Sequence, residues 1–161
     1  MPSGPRLVLE NVLYHITTRG NQKQQTFIED EDFEEYLCRV RRYKRKYHFC
    51  LYGYCLMCNH PHLMGEIERK EDLSKFMQCL TRSYTAYFNY KYDKVGHLWQ
   101  GRFTSRIIAR DRYAIDCISY IENNPVRAGL VKAPHEYEWS SYRERVLKLN
   151  PNSKILDSFT L

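Results

Sequence analysis

Residues 51–67, LYGYCLMCNHPHLMGEI, are the stretch on which the fold turns. They join two β-rich runs, His48–Met57 and His60–Ile67, and the Cys58-Asn59 pair between them is turn chemistry, because asparagine favours turns. The expectation is a hairpin whose second strand carries His60 and His62 close to its start. Side chains in a strand alternate between faces, so residues two apart point the same way and the two imidazoles converge. Neutral imidazole ligates Zn, Mn, Fe and Ni. Two surface or hydrogen-bonded histidines would give the same spacing, and spacing alone does not separate the readings.

The preceding Cys55-x-x-Cys58 offers a competing zinc set by ligand type. Alternation sends those two thiols to opposite faces, which counts against it. The cysteines, Cys38, Cys50, Cys55, Cys58, Cys79 and Cys117, are irregularly spaced, and the N-terminal MPSGPRLVLEN lacks a charged-then-apolar signal. Reduced thiols in a cytoplasmic protein are therefore expected rather than a disulfide framework.

Upstream of the hairpin, residues 12–18, VLYHITT, are β-rich and end at the turn signal Arg19-Gly20-Asn21. Asp30 and Asp32 then open a helix with apolar residues Phe33, Tyr36, Leu37, Val40 and Tyr47; acids lead and the bases of Arg39–Lys46 follow, as the helix dipole prefers. Downstream, Asp72 and Ser74 are positioned to cap a long helix in which Leu73, Phe76, Met77, Leu80, Tyr84, Tyr87 and Phe88 follow the i, i+3, i+4, i+7 stripe. Phe103–Ile108 reads as a fourth strand. Asp111 starts a further helix, expected to stop at Asn124 because Pro125 disfavours helical geometry in its predecessor.

In that last helix the angular arithmetic separates two faces. At 100° per residue, Ala114, Ile115 and Ile121 fall within about 60° of Ile118 and form the expected buried side. Tyr120 lies about 160° from Ile118, with Asn124 its i+4 neighbour. A tyrosine opposite the apolar stripe is a candidate for function; a half-exposed surface tyrosine is the bland alternative. Trp139 and Tyr142 are expected to fold back on the body, and 143–161 reads as a polar, mobile tail.

The order β-α-β-β-α-β-α specifies an α+β protein: a ferredoxin-like βαββαβ core with an antiparallel sheet plus an additional C-terminal helix that bears Tyr120, in one domain over residues 1–161. Strand 1 and the histidine strand then lie side by side at the centre of the sheet. The balance of 25 Lys+Arg against 19 Asp+Glu, net +6, favours acidic partners, nucleic acid first among them. The 14 tyrosines and 7 phenylalanines interleaved with those bases suit base stacking and phosphate contact, although most such rings in any protein are core.

Five ordered motifs carry a resemblance: YHITTRGN with the histidine strand, LSKFMQCLTRSYTAYFN, GHLWQGRF, YIENNPVRAGLV and WSSY, spanning about Leu13 to Tyr142. They resemble the IS200-like single-tyrosine transposases of the HUH endonuclease superfamily, and most of all the REP-associated tyrosine transposases. The resemblance implies that His60 and His62 bind a divalent cation, Mg²⁺ or Mn²⁺, with Asn124 completing the site, and that Tyr120 is the nucleophile. It implies nicking and rejoining of single-stranded or hairpin DNA through a 5′-phosphotyrosine, in a cytoplasmic, nucleoid-associated protein. A catalytically silent hairpin-binding relative is the alternative. Arg102, Arg106, Arg110 and Arg127 are candidates for backbone contacts and Trp99 for stacking. Three positions depart from the family pattern: Cys58 and Pro61 bear on strand geometry, and Glu122, where a histidine is common, bears on DNA contacts. Monomer and homodimer, and use of Tyr120 in cis or in trans, stay open.

Overall fold

The hairpin forms as the sequence predicts. In the computed structural model, which describes residues 4–148 and 154–161, β2 (Phe49–Met57) and β3 (His60–Ile67) are joined by Cys58-Asn59, with Met57 paired to His60 across the turn. β1 (Leu13–Thr17) pairs antiparallel with β3 on one side and with β4 (Thr104–Ile108) on the other, giving a four-stranded sheet of order β2-β3-β1-β4. With α1 (Asp30–Lys46) between β1 and β2 and α2 (Lys70–Lys91) between β3 and β4, this is the ferredoxin-like βαββαβ arrangement, and the histidine strand is interior. α3 (Arg112–Glu122) and a single turn, α4 (Asn124–Arg127), follow.

Alternation along the strands gives the sheet two unlike faces. Tyr14, Ile16, Leu63 and Ile67 point to α1 and α2, where Phe33, Tyr36, Phe76, Leu80, Tyr84 and Phe88 complete an aromatic-rich core. Gly65 fits this face only because it lacks a side chain: a Cβ there would sit 2.5 Å from the Phe49 ring and 2.1 Å from the Cys50 carbonyl oxygen. Leu13, Met64, Cys55 and Ile108 point the other way and are roofed by Ala114, Ile118 and Ile121 of α3. α1 ends its first turn on a buried hub: the fully buried Asp32 carboxylate accepts from the backbone of Ile28 and Glu29, from Tyr87 and Tyr92, and from Lys91.

Pro61 does not break the interior strand. Opposite it, the Leu56 N–H turns away from β3 and donates to the Trp139 carbonyl at 2.8 Å, so this is a pair without hydrogen bonds between the strands. The donor that Pro61 lacks would face β1 just past Thr17, where that strand has ended. The outer edge of β2 is covered by the C-terminal segments: Ser141 N donates to Tyr54 O at 2.9 Å and Asp157 N to Leu51 O at 2.8 Å. Trp139 does fold back, stacking on Phe33 with ring centroids 4.8 Å apart. Of the stretch read as a polar tail, Ile155 and Leu156 are buried in the aromatic core.

Three details differ from the sequence reading. α2 begins at Lys70, ahead of the expected caps; Asp72 sits instead in its first turn, buried and flanked by Arg69 and Lys75. Ile115 is 48% exposed, because the buried stripe is displaced to the side of Ile118 that carries Ala114, Ile121 and Cys117, and Ile115 lies on the opposite side. Pro125 does not end the helical path: α3 closes at Glu122, Asn123 takes φ −91° and ψ 0°, and α4 restarts with Pro125 in its first turn, where a missing N–H costs nothing.

Candidate active site

β3 delivers His60 and His62 to the α3 side of the sheet, their rings edge to face with centroids 4.9 Å apart. α3 delivers Tyr120 to the same place. Its apolar stripe beds on the sheet, so the tyrosine on the opposite side is half exposed, and the Asn123 kink brings Asn124 round beside it. His60, His62, Tyr120 and Asn124 line one cleft of about 540 Å³ together with Thr17, Arg19, Gln100 and Arg102. One chain therefore holds all four residues singled out in the sequence.

Each group is held by a neighbour. His60 Nδ1 lies 2.5 Å from Asn59 Oδ1 and His62 Nδ1 lies 2.8 Å from His15 Nε2. Arg127 lays its guanidinium 3.6 Å over the Tyr120 ring and donates to Asn124 Oδ1 at 2.7 Å, tying the tyrosine to the asparagine. Burial lowers the pKa of His60, with Arg19 adding to the effect. Burial likewise pushes His62 down to about 3, reinforced by His15, His60 and Arg127. Both rings are neutral, which is the form that ligates metal.

Three buried polar atoms at this cleft have no partner: Thr18 Oγ1, His62 Nε2 and Asn124 Nδ2. Buried polar atoms are nearly always satisfied, so an orphaned imidazole nitrogen on a cleft wall fits a missing ligand. With Nδ1 of each ring engaged, two Nε2 atoms and the amide oxygen of Asn124 form the candidate donor set. Among the described residues no three of His, Cys, Asp and Glu converge as a metal-binding group. Cys55 is fully buried under α3 and Cys58 is exposed in the turn, so they do not converge, and all six cysteines are free.

The remaining candidates separate. Arg102 borders the cleft. Arg106, paired across to His15, lines an adjoining hollow with Tyr113, Asp116 and Tyr120. Arg110 is at the far end of the sheet, ion-paired to Glu66 and bonded to the Thr160 carbonyl. Trp99 is half-buried, its ring near Tyr36 and Tyr84 and its N–H donated to Thr81 O at 3.3 Å; packing occupies much of the indole expected for stacking. Glu122 does not face the solvent. It is buried, accepting from Ser141 Oγ at 2.5 Å and Arg145 Nε at 3.0 Å, and it pins the tyrosine helix to the C-terminal segment. Sequence reasoning missed His15, Arg19 and this Glu122–Arg145 pair. His15, Thr17 and Arg19 alternate in YHITTRGN as His60 and His62 do in β3, and that was the available signal.

Comparison with known proteins gives a consistent set of likenesses. Residues 8–124 match the family model described as "Transposase IS200 like". A curated protein of Haemophilus influenzae, "Putative REP-associated tyrosine transposase", is 24% identical over 146 residues, covering 83% of this chain and 81% of its own length. Among solved structures, a REP-associated tyrosine transposase bound to a REP hairpin superposes with TM-score 0.74 at 20% identity, covering 100% of this chain and 95% of that chain. A "putative transposase" from Deinococcus radiodurans R1 gives TM-score 0.52 at 17% identity, covering 76% of this chain and 97% of that chain.

Proposed function

This chain belongs to the IS200-like transposases, and from that membership we propose that it is a metal-dependent nuclease and strand transferase that nicks and rejoins single-stranded DNA at hairpin elements through a 5′-phosphotyrosine. The observation that carries the proposal is the shared cleft: Tyr120, His60, His62 and Asn124 meet within one chain. The hairpin substrate is taken from the REP hairpin bound by the similar transposase. The reading also implies a cytoplasmic, nucleoid-associated protein. No described helix is long and apolar enough to cross a membrane.

His60, His62 and Asn124 would hold Mg²⁺ or Mn²⁺, which when bound supplies a Lewis acid for the scissile phosphate. Arg19 and Arg102 on the cleft walls draw the phosphate in and balance its charge. Tyr120 Oη attacks phosphorus and gives up its proton. The Tyr–O–P bond forms as the P–O3′ bond breaks, and the departing 3′ oxygen takes up a proton to become a free 3′-OH. Arg127, stacked on the phenol, holds the ring for attack. Because one phosphoester replaces another, a 3′-OH can run the step backwards and seal a strand. Tyr120 lines the cleft of its own chain's histidines, which favours action in cis.

The test is covalent capture. Incubation with single-stranded hairpin oligonucleotides and Mn²⁺ should give a protein–DNA adduct that survives denaturation, and Tyr120→Phe should give none. An adduct in Tyr120→Phe rejects the nucleophile. Binding without adduct across several metals and many hairpins replaces this proposal with a silent hairpin-binding protein.

A further inference from the structure

We propose that His15 is a positioning residue that sets the tautomer of His62, keeping the proton on Nδ1 and the lone pair on Nε2; the inference rests on the reading of His60 and His62 as metal ligands. β1 and β3 are antiparallel neighbours in which Thr17 is opposite His62 and His15 opposite Met64, so His15 is the diagonal neighbour of His62 on the same face. The two rings lie end to end and near a common plane, centroids 5.1 Å apart and planes 23° apart, with His15 Nε2 and His62 Nδ1 separated by 2.8 Å.

Only one proton fits between those nitrogens. A neutral imidazole has one N–H, and a nitrogen that carries it cannot ligate. If His15 donates, the proton of His62 is forced onto Nε2, placing an N–H where the buried, partnerless atom is. If His62 donates, Nε2 keeps its lone pair and His15 carries its own proton on Nδ1. His60 faces no such choice, because the Asn59 side-chain oxygen can only accept from its Nδ1. The histidine that depends on its partner is therefore His62. Metal-ligating histidines are generally oriented in this way, by an acceptor on the other ring nitrogen.

Imidazole ¹⁵N–¹H spectra of the metal-free protein provide the first reading, and should place the His62 proton on Nδ1. In His15→Phe, which keeps a ring but removes the acceptor, the proton should shift toward Nε2. Affinity for Mn²⁺ alone, read by paramagnetic broadening of the His60 and His62 resonances, should fall about 10- to 100-fold. His15→Gln, which offers a side-chain oxygen, should recover most of that loss; a change due only to packing would not follow the acceptor. The proposal is overturned by a wild-type His62 protonated on Nε2, by wild-type Mn²⁺ affinity in His15→Phe, or by a His15→Gln protein no better than His15→Phe. Should His15→Phe not fold, the wild-type tautomer and the His15→Gln affinity decide between the same outcomes. A wild-type protein that shows the Nδ1 tautomer but takes up no Mn²⁺ rejects the metal reading and leaves the His15–His62 pairing standing.

Discussion

Toward α1 and α2 the strands present Tyr14, Ile16, Leu63 and Ile67 to a continuous layer of rings, whereas toward α3 the same strands present His15, His60, His62 and Arg106 to a cleft. Both faces come from one alternating pattern, and they differ in which polar atoms are left unsatisfied: on the first it is the Tyr36 hydroxyl, on the second an imidazole nitrogen and an amide nitrogen. On the first, even a buried carboxylate, Asp32, has five donors. On the second, His62 Nε2 and Asn124 Nδ2 are buried with none. The aromatic layer is therefore expected to govern stability and the cleft the proposed chemistry, and substitutions should sort accordingly.

The largest effect expected is Tyr120→Phe: adduct formation falls to nothing, while the thermal midpoint stays close to wild type because the hydroxyl is on a half-exposed ring. His62→Ala should slow adduct formation by about 10²–10³-fold, the scale of losing one preorganised electrostatic group. The converse belongs to the opposite face. Phe76→Ala should cost about 3–5 kcal/mol in denaturant unfolding, and whatever protein remains folded should retain its cleft. A Phe76→Ala protein that is stable but inactive would show that the two faces are not separable.

Acid sharpens the same contrast. Burial by itself would raise the pKa of Asp32, but hydrogen bonds from Tyr92, from the Glu29 and Ile28 backbone and from Lys91 outweigh it and bring the group down to about 2. A depressed carboxylate contributes stability above its unfolded pKa of about 3.9 and loses it as pH falls through the folded value, so about 2 kcal/mol should disappear between about pH 4 and pH 2. In Asp32→Asn that pH-dependent component should be absent from urea titrations. The smallest effect concerns Arg127→Ala. Loss of its stacking on Tyr120 is worth about 0.5–1 kcal/mol, read as a several-fold slower adduct with unchanged stability.

The cleft also differs from the core in its charge. Its lining has arginines and no carboxylate, so a divalent cation bound there would meet neutral donors in a positive field. Mn²⁺ affinity should accordingly rise when hairpin DNA is present, and DNA affinity should rise by the same factor with Mn²⁺. Calorimetric titrations in both orders check the reciprocity; equal Mn²⁺ affinity with and without DNA would show that the phosphate contributes nothing to the ion's site.

Much of this was legible in the chain because it is local. Turn chemistry at Cys58-Asn59 and period-two spacing placed His60 and His62, and helical arithmetic placed Tyr120 away from the sheet. What escaped depends on register or on distant partners. Alternation says that His15 shares a face with Thr17, but not which residue of β3 stands beside it. Glu122 lies about 40° from Ile118 by the same arithmetic, hence on the buried side, yet an acid there makes sense only once Arg145, 23 residues on, is seen to reach it. Arg110 and Trp99 looked available because Glu66 and the Tyr36–Tyr84 pair that engage them are far away in sequence.

The buried Glu122 bears on what would follow the proposed cut. A strand joined to Tyr120 would be joined to a helix fastened through Ser141 and Arg145 to the edge of the sheet, so the covalent end has little freedom to travel. Exchange of partners would then fall to the released 3′ end, which alone can leave and be replaced. If no other 3′ end were nearby, the anchored 5′ end would stay where the original one was released, and repair of the nick would become the default outcome.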